Sequence, residues 1–141
     1  MAPRAKAVLF VCSENVLRSP MAEAIAKLVC GTEVYVDSVG VRDGEIDPFV
    51  VEVLGEIGID AAGHASKRLD DLMDTSFDLI VSLSPEAHHQ ALELTRTSAV
   101  EVEFWNLMDP SLIEGNREVR LAAYRDLRET LLQRIRARLR D

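Results

Sequence analysis

Residues 5–30 read AKAVLFVCSENVLRSPMAEAIAKLVC, and this stretch predicts the architecture of the chain. Residues 5–12 form an apolar run rich in Val, Leu and Phe without polar alternation, which is typical of a strand buried on both faces of a parallel sheet. Residues 18–30 change to helical spacing, with Pro20 suited to the first turn and Gly31 suited to the stop. We therefore predict a strand, a short loop and a helix in succession.

The same alternation of strand and helix continues to the C-terminus. Short apolar runs predict three further strands, over residues 33–38, 77–83 and 99–104. Helical spacing predicts three further helices, over residues 47–58, 85–94 and 116–139. In the last helix every fourth residue from Val119 to Leu139 is apolar. Because strands separated by helices form βαβ units, we predict a single α/β domain over residues 1–141, with a flavodoxin-like, doubly wound, four-stranded parallel sheet and helices on both faces.

Composition and charge exclude several classes of protein. The chain has 141 residues, 48% hydrophobic and 28% charged, so it is neither disordered nor collagen-like. No apolar run approaches the ~18 residues of a membrane span, and the apolar segment near the N-terminus is too short for a signal peptide. The net charge of −8 opposes binding to nucleic acid. With only Cys12 and Cys30, a disulfide framework is excluded, and we expect a cytoplasmic protein with no membrane or nucleic acid partner.

The loop after the first strand carries the residues with the clearest chemistry. It reads Cys12-Ser13-Glu14-Asn15-Val16-Leu17-Arg18-Ser19. A loop of this length between a strand and a helix can turn its backbone N–H groups inward and form a cradle for an anion. Cys12 would face the helix N-terminus and the Arg18 guanidinium, both of which favour the thiolate. The Arg18 fork matches two phosphate oxygens, and the Ser19 hydroxyl can donate to the thiolate.

Residues 8–25 resemble the low-molecular-weight protein tyrosine phosphatase family, which includes the thioredoxin-linked arsenate reductases. The resemblance covers the whole chain, because further family motifs follow in the family's order: Asp37-Ser38-x-Gly40, Gly58-Ile59-Asp60, His64, Asp78-Leu79-Ile80 and Asp109-Pro110. The resemblance implies that Cys12 is the nucleophile, Arg18 the phosphate clamp and Asp109 the general acid. It also implies a set of hydrogen-bonding residues that hold the loop, namely Asn15, Ser19, Ser38 and His64.

The position of Asp109 in the chain supports its assignment as the acid. It follows the fourth predicted strand, so it falls on the same sheet edge as Cys12, and the next residue is a proline that restrains the backbone. Cleavage of a phosphomonoester needs a proton on the leaving oxygen, and a carboxyl group beside an apolar wall suits that task. We expect Trp105 and Met108 to supply this wall. Asp43 is the next candidate for the acid.

Three positions depart from the family pattern. Glu14 stands where many members have Gly, and its carboxylate either points outward or repels phosphate. Leu17 replaces a second cysteine that gives many members redox protection. Ser111-Leu112 replaces the tyrosines that often line the substrate slot, so preference for phosphotyrosine peptides stays open.

The other histidines and cysteines predict neither a metal site nor a cofactor. His88 and His89 are adjacent on a predicted helix, so they point to different faces, and no carboxylate or cysteine stands at ligand spacing. Cys30 lies about 18 Å of helix from Arg18, so it cannot easily bridge to Cys12. We expect Cys30 to be a buried structural thiol.

These residues favour a phosphomonoester hydrolase, most simply a protein tyrosine phosphatase, that acts through a phosphocysteine on Cys12. The expected partners are a phosphorylated protein or a small aryl phosphate, with phosphate-like anions as inhibitors. An arsenate reductase is the first alternative, although Cys30 is the only other thiol available to resolve an oxidised Cys12. A phosphocarrier or a phosphate-sensing domain is a further alternative, and Arg18 together with Asp109 argues for hydrolysis instead.

Overall fold

Four parallel β-strands form one sheet in the computed structural model, within the residues that it describes, 5–72 and 76–140. The strands are β1 (Ala7–Cys12), β2 (Tyr35–Gly40), β3 (Leu79–Ser82) and β4 (Glu101–Phe104). Their spatial order is β2-β1-β3-β4, and every neighbouring pair is parallel. The chain reverses its direction of winding between β1 and β3, which confirms the predicted flavodoxin-like, doubly wound topology.

Helices cover both faces of the sheet. They are α1 (Arg18–Cys30), α2 (Pro48–Gly55), α3 (Pro85–Leu94) and α4 (Arg117–Ile135), the last continued by a π-helical turn over Arg136–Arg140. One face of β1 presents Val8, Phe10 and Cys12 to a core shared with α1, α2 and α4. The other face presents Leu9 and Val11 to a smaller core under α3. Both faces of β1 are buried, and this is why its sequence is apolar without alternation.

Side-chain caps start α2, α3 and α4. Asp47 accepts a hydrogen bond from the Phe49 amide at the start of α2, and Ser84 accepts one from the Ala87 amide at the start of α3. Asn116 does the same at α4. Each cap satisfies an amide that the helix itself leaves without an acceptor. Of the helices in the described segments, none is long and apolar enough to cross a membrane.

The structure moves the bounds of several predicted elements. Strands β1, β3 and β4 each begin two residues later than predicted, β3 ends one residue earlier, and α2 ends at Gly55. Strand β2 begins and ends two residues later than predicted, because its last residue, Gly40, pairs with Cys12 of β1 and with Arg68. In α4 the buried stripe does not begin at Val119, whose side chain is 48% exposed. Val119 lies in the first turn of α4, beside Gly115, and the buried residues of the helix begin at Leu121. From Ala123 to Leu139 every fourth residue is buried, as the spacing predicts.

Ion pairs join the outer surfaces of α2 and α4. Glu56 of α2 accepts hydrogen bonds from Arg125 and Arg128 of α4, at 2.8 and 2.7 Å. Glu52 pairs with Arg117 one turn away. The two guanidinium groups hydrogen-bonded to Glu56 lower the pKa of its carboxyl to about 2. The Glu56 cluster therefore stabilises the packing of α4 against α2 only while that carboxyl is ionised.

We expect Glu56→Gln to lower the free energy of unfolding at pH 7 by about 1 kcal/mol, the upper end for exposed ion pairs. Because folding lowers the pKa of Glu56, its contribution is complete above the unfolded pKa of about 4.3 and is lost as the pH falls toward about 2. Urea unfolding at several pH values measures the difference from wild type. Glu118→Gln, which removes an equal charge from a more exposed carboxylate, is the control. A difference that does not shrink in acid would contradict the assignment.

Candidate active site

The loop between β1 and α1 wraps around the Cys12 sulfur. The backbone N–H groups of Asn15 and Ser19 donate to Cys12 Sγ at 3.3 and 3.4 Å. The Ser19 hydroxyl lies 2.8 Å from the same sulfur. A thiolate has no proton to donate, so in that form the Ser19 hydroxyl is the donor. The same hydroxyl lies 3.3 Å from the Val39 carbonyl oxygen, which accepts its proton when the sulfur is the donor. Two backbone donors and a hydroxyl around one buried sulfur are contacts that suit a nucleophilic thiolate.

The side chain of Asn15 holds this loop in shape. Its backbone has φ of +54°, a left-handed conformation that Asn tolerates better than most residues. Its amide nitrogen donates to Ser19 Oγ at 2.8 Å and to Ser38 Oγ at 3.0 Å. Its amide oxygen accepts from His64 Nε2 at 3.1 Å and from the Lys67 amide at 2.9 Å. The structure thus brings together all four of the loop-holding residues that the family resemblance implied.

Glu23 extends this network and was missed by the sequence reasoning. The Ser38 hydroxyl donates to its carboxylate, which also pairs with Lys27. A hydrogen-bonded chain therefore runs from Glu23 through Ser38, Asn15 and Ser19 to the Cys12 sulfur. Helical spacing could have revealed it, because Glu23 lies four residues after Ser19 and on the same face of α1.

The end of β2 supports the loop from outside. The amide of Val41 donates to the Cys12 carbonyl at 3.0 Å, and the amide of Arg42 donates to the Ser13 carbonyl at 2.8 Å. A Cβ at Gly40 would lie 2.6 Å from the Asn15 amide nitrogen and 2.4 Å from the Arg42 carbonyl oxygen. Only glycine allows so close an approach of the two backbones, which explains why the motif Asp37-Ser38-x-Gly40, in β2, ends in glycine.

Arg18 links the loop to the segment that carries Asp109. Its guanidinium donates to the Leu107 carbonyl at 3.0 Å. Asp109 caps the 3₁₀ turn Pro110–Leu112, where one carboxylate oxygen accepts from the Ser111 amide and hydroxyl at 2.9 and 2.6 Å. No hydrogen bond from the described residues reaches the other carboxylate oxygen, Oδ2. The arrangement leaves that oxygen able to carry a proton.

Half of the expected apolar wall beside Asp109 is wrong, and the other half stays a prediction. Met108 is 59% exposed, so it forms no wall. Trp105 is buried against Phe10, and its place beside Asp109 stays a prediction. Tyr124 of α4 lies near enough to Asp109 for the charge of that carboxylate to contribute to the raised pKa of its phenol. Asp43, the second candidate for the acid, is exposed on the loop after β2.

A family model described as low molecular weight phosphotyrosine protein phosphatase matches residues 7–141. The chain belongs to this family. It is 32% identical to an arsenate reductase of Halalkalibacterium halodurans over 131 residues, which are 93% of each chain. A low molecular weight protein tyrosine phosphatase from T. tengcongensis is 29% identical, with a TM-score of 0.72 over 92% of this chain and 94% of that one. An arginine phosphatase with a phosphorylated active-site serine is 28% identical, with a TM-score of 0.72 over 96% and 97%.

Glu14, the main departure from the phosphatase family's loop, turns away from the sulfur. Its carboxylate oxygen Oε2 lies 3.8 Å from the Cβ position of Gly44, on the loop after β2. Arg42 forms a bidentate pair with Glu86, at 2.7 and 3.0 Å. The hydrogen bonds to Glu86, with a smaller contribution from the charge of Glu14, raise the pKa of Arg42. The structure therefore favours the outward of the two orientations open at Glu14, which is exposed to solvent.

A groove of about 470 Å³ opens beside the loop. The residues that line it include Val16, Asp47, Phe49, Ser111, Arg120 and Tyr124. The Tyr124 hydroxyl donates to the Asp47 carboxylate at 2.6 Å. Burial and this hydrogen bond raise the pKa of the Tyr124 phenol. The backbone amide of Asp47 donates to the Val16 carbonyl at 2.9 Å. The groove therefore adjoins the loop Cys12–Ser19, called the anion loop below.

The remaining candidate residues lie apart from the sulfur. Leu17 is buried, and Cys30 is buried at the far end of α1 without a disulfide to Cys12. His88 contacts Ser82 Oγ through Nδ1 at 2.8 Å. Within residues 5–72 and 76–140, no group of three or more His, Cys, Asp or Glu side chains could hold a metal ion.

We expect iodoacetate to alkylate Cys12 faster than Cys30, because two backbone N–H groups and the Ser19 hydroxyl surround Cys12 Sγ. Phosphate or vanadate should protect it by occupying the cradle. Mass spectrometry of the peptides containing Cys12 and Cys30 measures both rates, and Cys12→Ser isolates the slow reaction of Cys30. Equal rates for the two thiols, or no protection by phosphate, would remove Cys12 from the role of nucleophile.

Proposed function

We propose that the protein hydrolyses phosphomonoesters, as a protein tyrosine phosphatase or an enzyme for small aryl phosphates, through a phosphocysteine on Cys12. The observation that carries the proposal is the convergence of two backbone N–H donors and the Ser19 hydroxyl on Cys12 Sγ, in a loop that ends at Arg18. Membership of the phosphatase family supports it. We further propose a cytoplasmic setting, no bound cofactor, and inhibition by phosphate-like anions.

In the first step, the Cys12 thiolate attacks phosphorus, so the S–P bond forms while the P–O bond to the leaving group breaks. Backbone amides of the loop and the Arg18 guanidinium bind the non-bridging oxygens, where negative charge is spread in the transition state. Asp109 donates its proton to the departing oxygen. In the second step Asp109 takes a proton from water, which attacks phosphorus and releases phosphate and the Cys12 thiolate.

Asp109→Asn tests the acid. We expect kcat/KM to fall strongly for phenyl phosphate, whose leaving group has a pKa of about 10, and to fall less for p-nitrophenyl phosphate. The measurement is kcat/KM for a series of aryl phosphates against leaving-group pKa, because kcat hides the contrast when phosphocysteine hydrolysis is limiting. Wild type should give a shallow slope and the variant a steep negative one.

Asp43→Asn is the matched control for the acid, since it removes the carboxylate that is next in line for the role. We expect it to retain the shallow slope of wild type. If Asp109→Asn retains that slope instead, Asp109 is not the proton donor. A steep slope for Asp43→Asn would transfer the role to that residue.

Arsenate reduction is the second candidate function, because relatives about 30% identical over most of the chain bear the name arsenate reductase. That chemistry requires a thiol to resolve the oxidised nucleophile. Leu17 occupies the nearby position in the loop, and Cys30 lies about 18 Å of helix away from Arg18. An external small thiol would have to take its place.

We expect arsenate to inhibit phosphatase activity competitively and not to be turned over with thioredoxin, thioredoxin reductase and NADPH. Oxidation of NADPH that depends on arsenate measures the reductase reaction, with Cys12→Ser as the control. Steady NADPH oxidation by wild type would favour reductase function. Phosphoarginine belongs in the same substrate panel, since an arginine phosphatase is among the similar structures.

A further inference from the structure

Arg120 differs from the arginines that join α4 to α2. Arg117, Arg125 and Arg128 each pair with Glu52 of α2 or with Glu56, its C-cap residue. Among the described residues, no carboxylate lies within 4.0 Å of the Arg120 guanidinium. Arg134 of α4 also stacks on an aromatic ring, that of Trp105, but it does not line the groove beside the loop.

The Arg120 guanidinium lies in the groove beside the anion loop. It stacks over the Phe49 ring at 4.8 Å from the centroid, and Tyr124 packs edge-on against the same ring at 5.2 Å. The same groove is lined by Val16 of the loop and by Ser111, two residues after Asp109. A substrate whose phosphoryl group occupies the loop can therefore extend along this groove toward Arg120.

The carboxylates that face this guanidinium leave it available to a ligand. One carboxylate oxygen of Asp47 accepts from the Phe49 amide, and the other accepts from the Tyr124 hydroxyl. Both oxygens are therefore hydrogen-bonded to groups other than Arg120. Glu45 lines the groove but is exposed to solvent. The charge of Asp109 also acts on this region, through Tyr124. Arg120 is the cation of the groove that has no ion-pair partner within the described part of the chain.

We propose that Arg120 is a specificity-determining residue that binds a second anionic group on the substrate, a carboxylate placed beyond the phosphorylated ring. This inference rests on the proposed phosphatase function. The planar guanidinium can bind a carboxylate with two parallel hydrogen bonds, and stacking on Phe49 limits its orientation. The preferred substrates are then aryl phosphates with an acidic side arm, or phosphotyrosine peptides with an adjacent acidic residue.

Three esters of nearly equal leaving-group pKa test the inference, because they differ in the charge of the side arm. They are the phosphates of 3-(4-hydroxyphenyl)propanoate, 4-ethylphenol and tyramine, which carry an anionic, a neutral and a cationic arm. Wild type should have the highest kcat/KM for the anionic ester and the lowest for the cationic one. Arg120→Gln should lower kcat/KM for the anionic ester about five- to tenfold, mainly through KM, and leave the neutral ester within about twofold.

Matched variants distinguish direct binding of the substrate by Arg120 from a long-range effect of its charge and from its packing on Phe49. Arg117→Gln removes the same charge one turn earlier on α4 and should retain the wild-type order of the esters. Arg120→Lys keeps the charge without the planar fork and should restore part of the preference. Thermal unfolding of Arg120→Gln reports how far its stacking on Phe49 supports the fold. A pair of phosphotyrosine peptides with Glu or Gln next to the phosphorylated residue distinguishes a protein from a small-molecule source.

The order of kcat/KM among the three esters decides the outcome. If Arg120→Gln retains the wild-type preference, Arg120 only packs on Phe49 and the inference is wrong. An equal loss of kcat/KM for the anionic ester in Arg117→Gln also overturns it, because any positive charge on α4 then has the same effect. If wild type hydrolyses none of the esters, the proposed function fails separately, and calorimetric Kd values decide the inference. Tighter binding of the anionic ester, lost in Arg120→Gln, supports it, and equal binding of all three overturns it.

Discussion

The buried amide of Asn15 is the constraint on which the rest of the site depends. Its two donors and its acceptor oxygen are all occupied, by groups from α1, β2 and the segment containing His64 and Lys67. A buried amide left without partners would cost about 1–3 kcal/mol per unsatisfied group. The loop therefore keeps the left-handed backbone conformation at Asn15 that lets its side-chain amide reach these partners. The same conformation directs the backbone N–H of Asn15 toward the Cys12 sulfur.

A second connection links the anion loop to the wall of the groove. Asp47 uses its amide to bind the Val16 carbonyl, one carboxylate oxygen to cap α2 and the other to bind Tyr124 of α4. The ion pairs around Glu56 hold α4 against α2 farther along the two helices. Because of these contacts, the position of Arg120 over the groove follows from the packing of α2 and α4. In the proposed function the loop binds the phosphoryl group, and the packing of α2 and α4 decides which further group of the substrate the groove can accept.

Much of the fold was predictable because local patterns and tertiary packing agree. The apolar run of β1 predicted a strand buried on both faces, and helical spacing predicted all four α-helices. The end of β2 was not predictable, since Gly40 belongs to the strand only through its pairing with Cys12 and Arg68. Val119 was misassigned to the core because it lies in the first turn of α4, before the part of the helix that packs on the core, while the later residues at the same spacing are buried. Met108 was misassigned to the apolar wall because it precedes Asp109 in the sequence. In the structure its side chain is exposed.

The sequence by itself determined the parallel α/β sheet, the anion loop from Cys12 to Ser19 and the order of the motifs that support it. These features depend on short-range patterns, a strand followed by a loop and a helix N-terminus, which the chain carries in consecutive residues. Only the tertiary structure decided that Glu23 ends the hydrogen-bonded chain, that Glu14 turns toward Gly44 and that Arg120 lies over Phe49 without an ion pair to the described residues. Each of these depends on contacts between elements far apart in the chain. Spacing along the sequence cannot reveal which long side chains meet across such a distance and which are left without a partner.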